Sequence, residues 1–141
     1  MFVAEAIIER NEASRKRPTV LLVEDEPIIR LHLASELRGA KYEVIEASNA
    51  DDALEVLRSL KVDLLISDVV MPGSMNGVEL ATRARDLSSG MKIIIVSGQL
   101  AQSPPDKIAD GFFAKPYGFT TVLKSCRRLL TEVADAGRSA I

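Results

Sequence analysis

Five short apolar runs are spaced along the chain, with longer mixed stretches between them. The runs cover residues 20–23, 44–47, 64–67, 93–96 and, more briefly, 112–114. They are rich in valine, isoleucine and leucine and do not alternate with polar residues, which is typical of parallel strands covered on both faces. The pattern therefore predicts five buried strands.

The mixed stretches place apolar residues every three or four positions, which is the spacing of helices. They cover residues 27–38, 50–60, 77–87 and 119–133. The predicted core-facing residues of the first helix are Ile28, Leu31, Ala34, Ser35 and Leu37. Ser48 or Asn49 is available as the N-cap of the second helix. Because strands and helices alternate, the sequence predicts a doubly wound α/β fold around a parallel sheet.

The interval between the fourth and fifth strands is irregular. Pro104 and Pro105 interrupt the short stretch between Ser97 and Phe112. Adjacent prolines cannot lie inside a helix, because each lacks an N–H and clashes with the preceding turn. We therefore expect a shortened or degenerate fourth helix, about residues 105–109, and we expect residues 99–111 to be the most mobile part of the folded domain.

Composition limits the class of protein. The chain has 141 residues, 47% of them apolar, and a formal net charge of −2, which suits one domain without the basic excess of nucleic-acid binders. We divide it into an N-terminal extension (1–17, flexible or a short helix), a domain (18–134) and a C-terminal tail (135–141). Cys126 is the single cysteine, which excludes an internal disulfide. The absence of a signal peptide or long apolar run predicts a cytoplasmic protein without membrane association.

Polar residues follow the predicted strands at their carboxyl ends. These ends carry Glu24-Asp25-Glu26, Asp68, Ser97-Gly98 and Lys115-Pro116. Ligands of doubly wound sheets bind outside this edge, near the point where the strand order reverses. Clustered carboxylates repel one another unless a divalent cation and a lysine offset their charge, and oxygen ligands suit Mg²⁺. One carboxylate could then attack a phosphorus atom while metal and lysine neutralise the developing charge.

Each motif also has a structural interpretation when it is taken alone. The acidic run before Pro27 could cap a helix whose first residue is proline. Asp68 could form a strand-end turn, and Ser97-Gly98 is an ordinary turn signal. All four motifs nevertheless fall at one edge, in order and with strand spacing between them, and this combination favours a functional site.

At these residues the chain resembles the receiver domain of bacterial two-component response regulators. The resemblance covers about residues 19–130. It rests on Leu21-Leu22-Val23-Glu24-Asp25-Glu26, Asp68-Val69-Val70-Met71-Pro72, Gly77, Val96-Ser97-Gly98 and Ala114-Lys115-Pro116. It implies a flavodoxin-like, five-stranded parallel sheet with strand order 2-1-3-4-5.

The resemblance also implies a role for each site residue. Asp68 would be the phosphoryl acceptor, and Asp68, Asp25 and the backbone carbonyl of Val70 would bind Mg²⁺ directly, with Glu24 helping through water. Ser97 and Lys115 would bind the phosphoryl group. The switch residues would be Ser97 and Phe112, the latter an aromatic that turns inward on activation. The Lys115-Pro116 bond would be cis.

The expected function is that of a stand-alone, phosphorylated switch, which catalyses only its own phosphorylation and dephosphorylation and is otherwise not an enzyme. The resemblance implies a histidine kinase or histidine phosphotransfer protein as donor, docking beside the first helix near Pro27, Ile28 and Ile29. We expect a downstream protein target, no direct binding of nucleic acid, and a monomer or weak dimer.

Two alternatives come from other classes of protein. A phosphohydrolase with an aspartate nucleophile would carry a general-acid aspartate two residues after Asp68, where this chain has Val70. The other alternative is a receiver-like binding module that works without phosphorylation. The intact acceptor, metal and lysine set argues against it.

Overall fold

The computed structural model describes residues 17–98 and 108–139, and it gives residues 132–139 as helical backbone. The described strands are β1 (Thr19–Val23), β2 (Glu43–Ala47), β3 (Leu64–Asp68), β4 (Lys92–Ser97) and β5 (Gly111–Ala114). The described helices are α1 (Pro27–Gly39), α2 (Ala50–Ser59), α3 (Gly77–Leu87) and α4 (Phe119–Ser139).

The strands form a parallel sheet with the order β2-β1-β3-β4-β5 within the described residues. Leu21 of β1 lies opposite Ile45 of β2 on one side and opposite Leu65 of β3 on the other. The strand order therefore reverses next to β1, which places the carboxyl ends of β1 and β3 side by side. The predicted fold and strand order are confirmed.

Helices cover both faces of the sheet, which explains the continuous apolar runs of the strands. On one face, Leu54 of α2 and Leu80 of α3 belong to the same buried cluster as Leu65. On the other, Leu37 of α1 and Leu129 of α4 are buried with Ile66. Successive strand residues point to opposite faces of the sheet. Because helices cover both faces, the adjacent residues Leu65 and Ile66 of β3 both need apolar side chains.

Cys126 lies in the second of these clusters and is fully buried. Burial raises the pKa of its thiol to about 12. A thiol that stays protonated is a poor nucleophile and a poor metal ligand, so Cys126 acts as a small hydrophobic residue.

The prediction for the buried face of α1 is partly wrong. Ile28 is 79% exposed, Leu31 is 58% exposed and Ser35 is exposed too, whereas Leu33, Ala34 and Leu37 are buried. Apolar residues occur on two sides of this helix, so their spacing left the rotation of the helix open. The side that packs on the sheet is the one centred between Leu33 and Leu37.

Several predicted boundaries also shift. β1, β2, β4 and β5 each begin one residue earlier, at Thr19, Glu43, Lys92 and Gly111, because backbone pairing begins before the first apolar side chain. α4 continues to Ser139, past the predicted end at residue 133.

Two predictions lie wholly or largely outside the described residues. They are the N-terminal extension, described only at Arg17, and the short helix and mobility of the segment 99–111, described only from residue 108. Residues 108–110 lead into β5 without regular structure. Among the described helices, none combines the length and apolar character that crossing a membrane requires.

Candidate functional site

The predicted polar residues meet at the carboxyl edge of the sheet. Glu24 follows β1, Asp68 and Ser97 end β3 and β4, and Lys115 follows β5. Glu24, Asp68 and Ser97 are 4%, 8% and 7% exposed, which is unusual for polar side chains without a structural or chemical task. The structure therefore brings together four segments that are far apart in the sequence.

Lys115 bridges two of the carboxylates. Its Nζ donates a hydrogen bond to Asp68 Oδ2 at 2.7 Å and a very short one to Glu24 Oε1. Its backbone N–H donates to the carbonyl of Ser97 at 2.7 Å, which fixes the start of the lysine side chain at the end of β4. The Lys115-Pro116 bond is cis, as expected.

Burial and the neighbouring charges shift the pKa values of Glu24 and Lys115. Burial raises the pKa of Glu24 to about 7; the hydrogen bond from Lys115 opposes this rise, and the Asp68 charge adds to it. Burial alone would lower the pKa of Lys115, but the hydrogen bonds to Asp68 and Glu24 outweigh it and raise that pKa. The lysine therefore stays charged, while the acidic cluster carries more negative charge than one ammonium offsets.

The carboxylates also have the arrangement of a cation site. Glu24, Asp25 and Asp68 each offer an oxygen, and these oxygens lie within 4.8 Å of one another. Asp25 is accessible to solvent, unlike the other two. Hard oxygen donors, excess negative charge and an open side are what Mg²⁺ requires, because it retains several waters. The donor set therefore fits the metal that the resemblance implies.

The backbone around Asp68 is tightly packed against the start of α3. The N–H of Gly77 donates to the carbonyl of Val69 at 2.8 Å, and a Cβ at Gly77 would lie only 1.9 Å from the Asp68 carbonyl oxygen. The Ser67 hydroxyl donates to the same oxygen at 2.9 Å. Gly77 is thus required by a close approach of two backbones, a reason that the sequence pattern did not reveal.

The second half of the loop between β3 and α3 is held at two residues. Asn76 caps α3 by accepting a hydrogen bond from the N–H of Glu79 at 2.9 Å. The Ser74 hydroxyl donates to Asp51 Oδ1 at 2.6 Å, and this hydrogen bond lowers the pKa of Asp51. Met75 lies between them and is buried in the core. The loop therefore has a defined position beside Asp68.

The structure also describes the remaining predicted residues, whose roles stay predictions. Val70 donates its N–H to Asp68 Oδ1 at 3.3 Å, so it lies next to the acidic cluster. A Cβ at Gly98 would touch the Lys115 side chain at 3.5 Å, an ordinary contact distance. Phe112 is half-buried against the cluster that α2 and α3 cover.

An arginine that the sequence analysis missed also contacts this edge. Arg30 of α1 donates from Nη1 to the backbone carbonyl of Glu24 at 2.8 Å. The sequence gives little sign of this contact, because every residue has a backbone carbonyl. An arginine in the first turn of a helix, where positive charge is unfavourable, was the one indication.

Comparison with known proteins agrees with this geometry. The family described as the response regulator receiver domain matches residues 20–127. The sensor kinase CckA of Brucella abortus is 36% identical over 79% of this chain, but the match spans 12% of the kinase. The response regulator receiver protein CpdR of the same organism is 32% identical over 79% of this chain and 95% of its own length.

A solved structure shows the same likeness in three dimensions. The response regulator TrrA of Thermotoga maritima, determined in complex with Mg²⁺ and BeF, superimposes with a TM-score of 0.72. It is 32% identical, and the match covers 79% of this chain and 98% of that one. Sequence and fold agree, and the chain belongs to the response regulator receiver domain family of two-component signalling.

Proposed function

We propose that this chain accepts a phosphoryl group on Asp68 in a Mg²⁺-dependent reaction and signals through altered protein–protein contacts. The observation that carries the proposal is the Lys115 bridge. One ammonium holds the buried carboxylates of Glu24 and Asp68 together, while Asp25 stands close enough to share a cation with them. A purely structural role would leave no reason to crowd three carboxylates around one lysine.

The site residues divide the work between metal and phosphoryl group. Asp25, Asp68 and the backbone carbonyl of Val70 would hold Mg²⁺, with Glu24 acting through water. A bound Mg²⁺ supplies positive charge that offsets the repulsion between these carboxylates and a dianionic donor. Lys115 already contacts Asp68 Oδ2 and keeps that carboxylate oriented.

In the transfer, a carboxylate oxygen of Asp68 forms a bond to phosphorus while the P–N bond to the donor histidine breaks. The electron pair of that bond stays on the imidazole nitrogen, which is protonated from solvent. The hydroxyl of Ser97 and the ammonium of Lys115 donate hydrogen bonds to the phosphoryl oxygens. Gly98, without a side chain, leaves space beside them.

An apolar surface next to the site supports a protein as the donor. A cleft of about 320 Å³ is lined by Ile29, Lys115, Pro116, Tyr117 and Phe119. Ile28 and Leu31, in the same helix as Ile29, are exposed. Apolar surface close to a reactive carboxylate is typical of a protein interface. We propose a histidine kinase or histidine phosphotransfer protein as the donor and a separate protein as the target of a stand-alone receiver.

The test is to incubate the chain with Mg²⁺ and acetyl phosphate and to follow the intact mass. We expect one phosphoryl increment, which EDTA prevents and Asp68→Asn abolishes. Asp86→Asn on α3 is the matched control, because it removes an exposed carboxylate away from the site, and it should label normally. Labelling of Asp68→Asn at the normal rate would refute the assignment. If neither acetyl phosphate nor phosphoramidate labels the wild-type chain, the result would favour a binding module that works without phosphorylation.

A further inference from the structure

Arg30 occupies an unusual place for an arginine. It lies in the first turn of α1, which reads Pro27, Ile28, Ile29, Arg30, where the helix dipole disfavours positive charge. Its side chain is only 19% exposed. Both features oppose stability, so the arginine needs partners that offset them.

The partners of Arg30 connect it to the acidic site. Nη1 donates to the backbone carbonyl of Glu24 at 2.8 Å, and Nε lies 3.4 Å from Glu46 Oε1 on β2. The other oxygen of Glu46 accepts a hydrogen bond from Arg38 at 3.1 Å. Glu46 is therefore held from the far side by a second arginine, and in turn it orients Arg30.

This contact completes the fixation of the Glu24 backbone. The N–H of Glu24 donates to the carbonyl of Ala47 at 3.1 Å, and its carbonyl accepts from Arg30. Both peptide groups that flank Glu24 are thus held, and the second of them leads directly into Asp25. The directions of two of the three carboxylates depend on these peptide groups.

We propose that Arg30 is a positioning residue for the metal site: through the Glu24 carbonyl it holds Glu24 and Asp25 in the orientation that binds Mg²⁺. The inference rests on the proposed function, since it assigns a task in the same site. Arg30 itself contacts neither the metal nor the phosphoryl group. It acts as the outer partners of metal ligands do, by fixing the groups that carry the ligands.

Simple electrostatics and positioning predict opposite results for the removal of Arg30. Removing a positive charge near a cation site reduces repulsion and would tighten Mg²⁺ binding. Loss of an outer contact loosens the ligands and weakens metal binding, typically by about 10- to 100-fold. The sign of the change in Mg²⁺ affinity therefore separates the two explanations.

The experiment measures Mg²⁺ affinity by isothermal titration calorimetry, with urea unfolding to confirm folding. Arg30→Met should weaken binding by about tenfold. Arg38→Met is the matched control, because it removes the other arginine on Glu46 but leaves the bond to the Glu24 carbonyl, and it should change affinity less than twofold. Arg30→Lys keeps the positive charge but cannot contact the Glu24 carbonyl and Glu46 at the same time, so it should bind Mg²⁺ several-fold more weakly than the wild type. It serves as the test variant if Arg30→Met does not fold.

Each outcome decides a separate question. Weaker binding in both Arg30 variants, with Arg38→Met near the wild type, supports the positioning role. Unchanged or tighter binding in a folded Arg30 variant overturns it, while the proposed function stands. A wild-type chain that does not bind Mg²⁺ overturns the proposed function and this inference with it.

Discussion

Charged residues cluster at both ends of the strands, at the carboxyl edge and at the amino edge of the sheet, but their charges are balanced differently. At the carboxyl edge, Lys115 is shared between Glu24 and Asp68, and Asp25 adds a further carboxylate. At the amino edge, Arg85 of α3 donates to Asp110 at 3.1 Å and to backbone carbonyls that flank β4 and precede β5. Negative charge exceeds positive charge at the first edge, and the two are paired at the second.

This difference shows which edge is built for stability. Asp110 Oδ2 also accepts the N–H of Ile93 at 2.9 Å, so the Arg85 network satisfies main-chain groups of two strands. Such a network is closed and requires no ligand. The carboxyl edge instead places unbalanced carboxylates at low exposure, which lowers stability and prepares the site for a cation. Removing the Asp25 carboxylate from the first edge and the Arg85 guanidinium from the second should therefore change stability in opposite directions.

The largest effect should come from Gly77, where fold and site meet. Gly77→Ala would put a Cβ 1.9 Å from the Asp68 carbonyl oxygen, so the start of α3 must move away from β3. We expect a loss of about 3 kcal/mol in the free energy of unfolding, measured by urea denaturation. Labelling of Asp68 with acetyl phosphate should fall as well, because the backbone that carries the acceptor shifts.

Gly39→Ala provides the matched control. A Cβ at this position, the last residue of α1, meets open space among the described residues. Alanine is the better helix former, so stability should stay the same or rise by up to about 1 kcal/mol. Equal behaviour of the two variants would contradict the close approach at Gly77.

Arg85→Met tests the amino edge. The substitution keeps a long side chain but removes the Arg85 donor from the carbonyls of Met91 and Ile108 and from Asp110, which then keeps only the N–H of Ile93 within the part of the chain that the structure describes. Because the two carbonyl contacts are partly buried, we expect a loss of about 2 kcal/mol with normal Mg²⁺ affinity. Arg83→Met, exposed on the same helix, should stay within about 0.5 kcal/mol of the wild type. A stable Arg85→Met chain would show that the network is incidental.

Asp25→Ala tests the opposite sign at the carboxyl edge. Removing one of three mutually repelling carboxylates should stabilise the metal-free chain by about 1 kcal/mol and sharply weaken Mg²⁺ binding. The measurement pairs urea unfolding in EDTA with a calorimetric Mg²⁺ titration. Unchanged metal affinity would remove Asp25 from the direct ligands, and a less stable metal-free chain would refute the idea of strain at this edge.

The sequence was most informative where side chains carry the structural signal. Strands buried on both faces appear as apolar runs, and polar residues that end consecutive runs must meet at one edge once the sheet is parallel. Exposure of Ile28 and Leu31 was not predictable, because apolar residues on two sides of α1 leave its rotation open. The contacts of Arg30 and Arg85 were hidden for another reason: their partners are mainly backbone carbonyls, which every residue has.

The smallest change in stability should come from Gly98→Ala, which separates a glycine kept for function from one kept for the fold. The added Cβ would meet the Lys115 side chain at 3.5 Å, so the folded chain accommodates it. Stability should change by less than about 0.5 kcal/mol. Phosphorylation should nevertheless slow, because the methyl group occupies space beside Lys115 that the incoming phosphoryl group needs. The measurement is the initial rate of mass labelling at saturating Mg²⁺, with urea unfolding alongside. A variant that labels at the wild-type rate would mean that the phosphoryl group does not approach beside Gly98, and a destabilised variant would place Gly98 with Gly77 among the glycines that the fold requires.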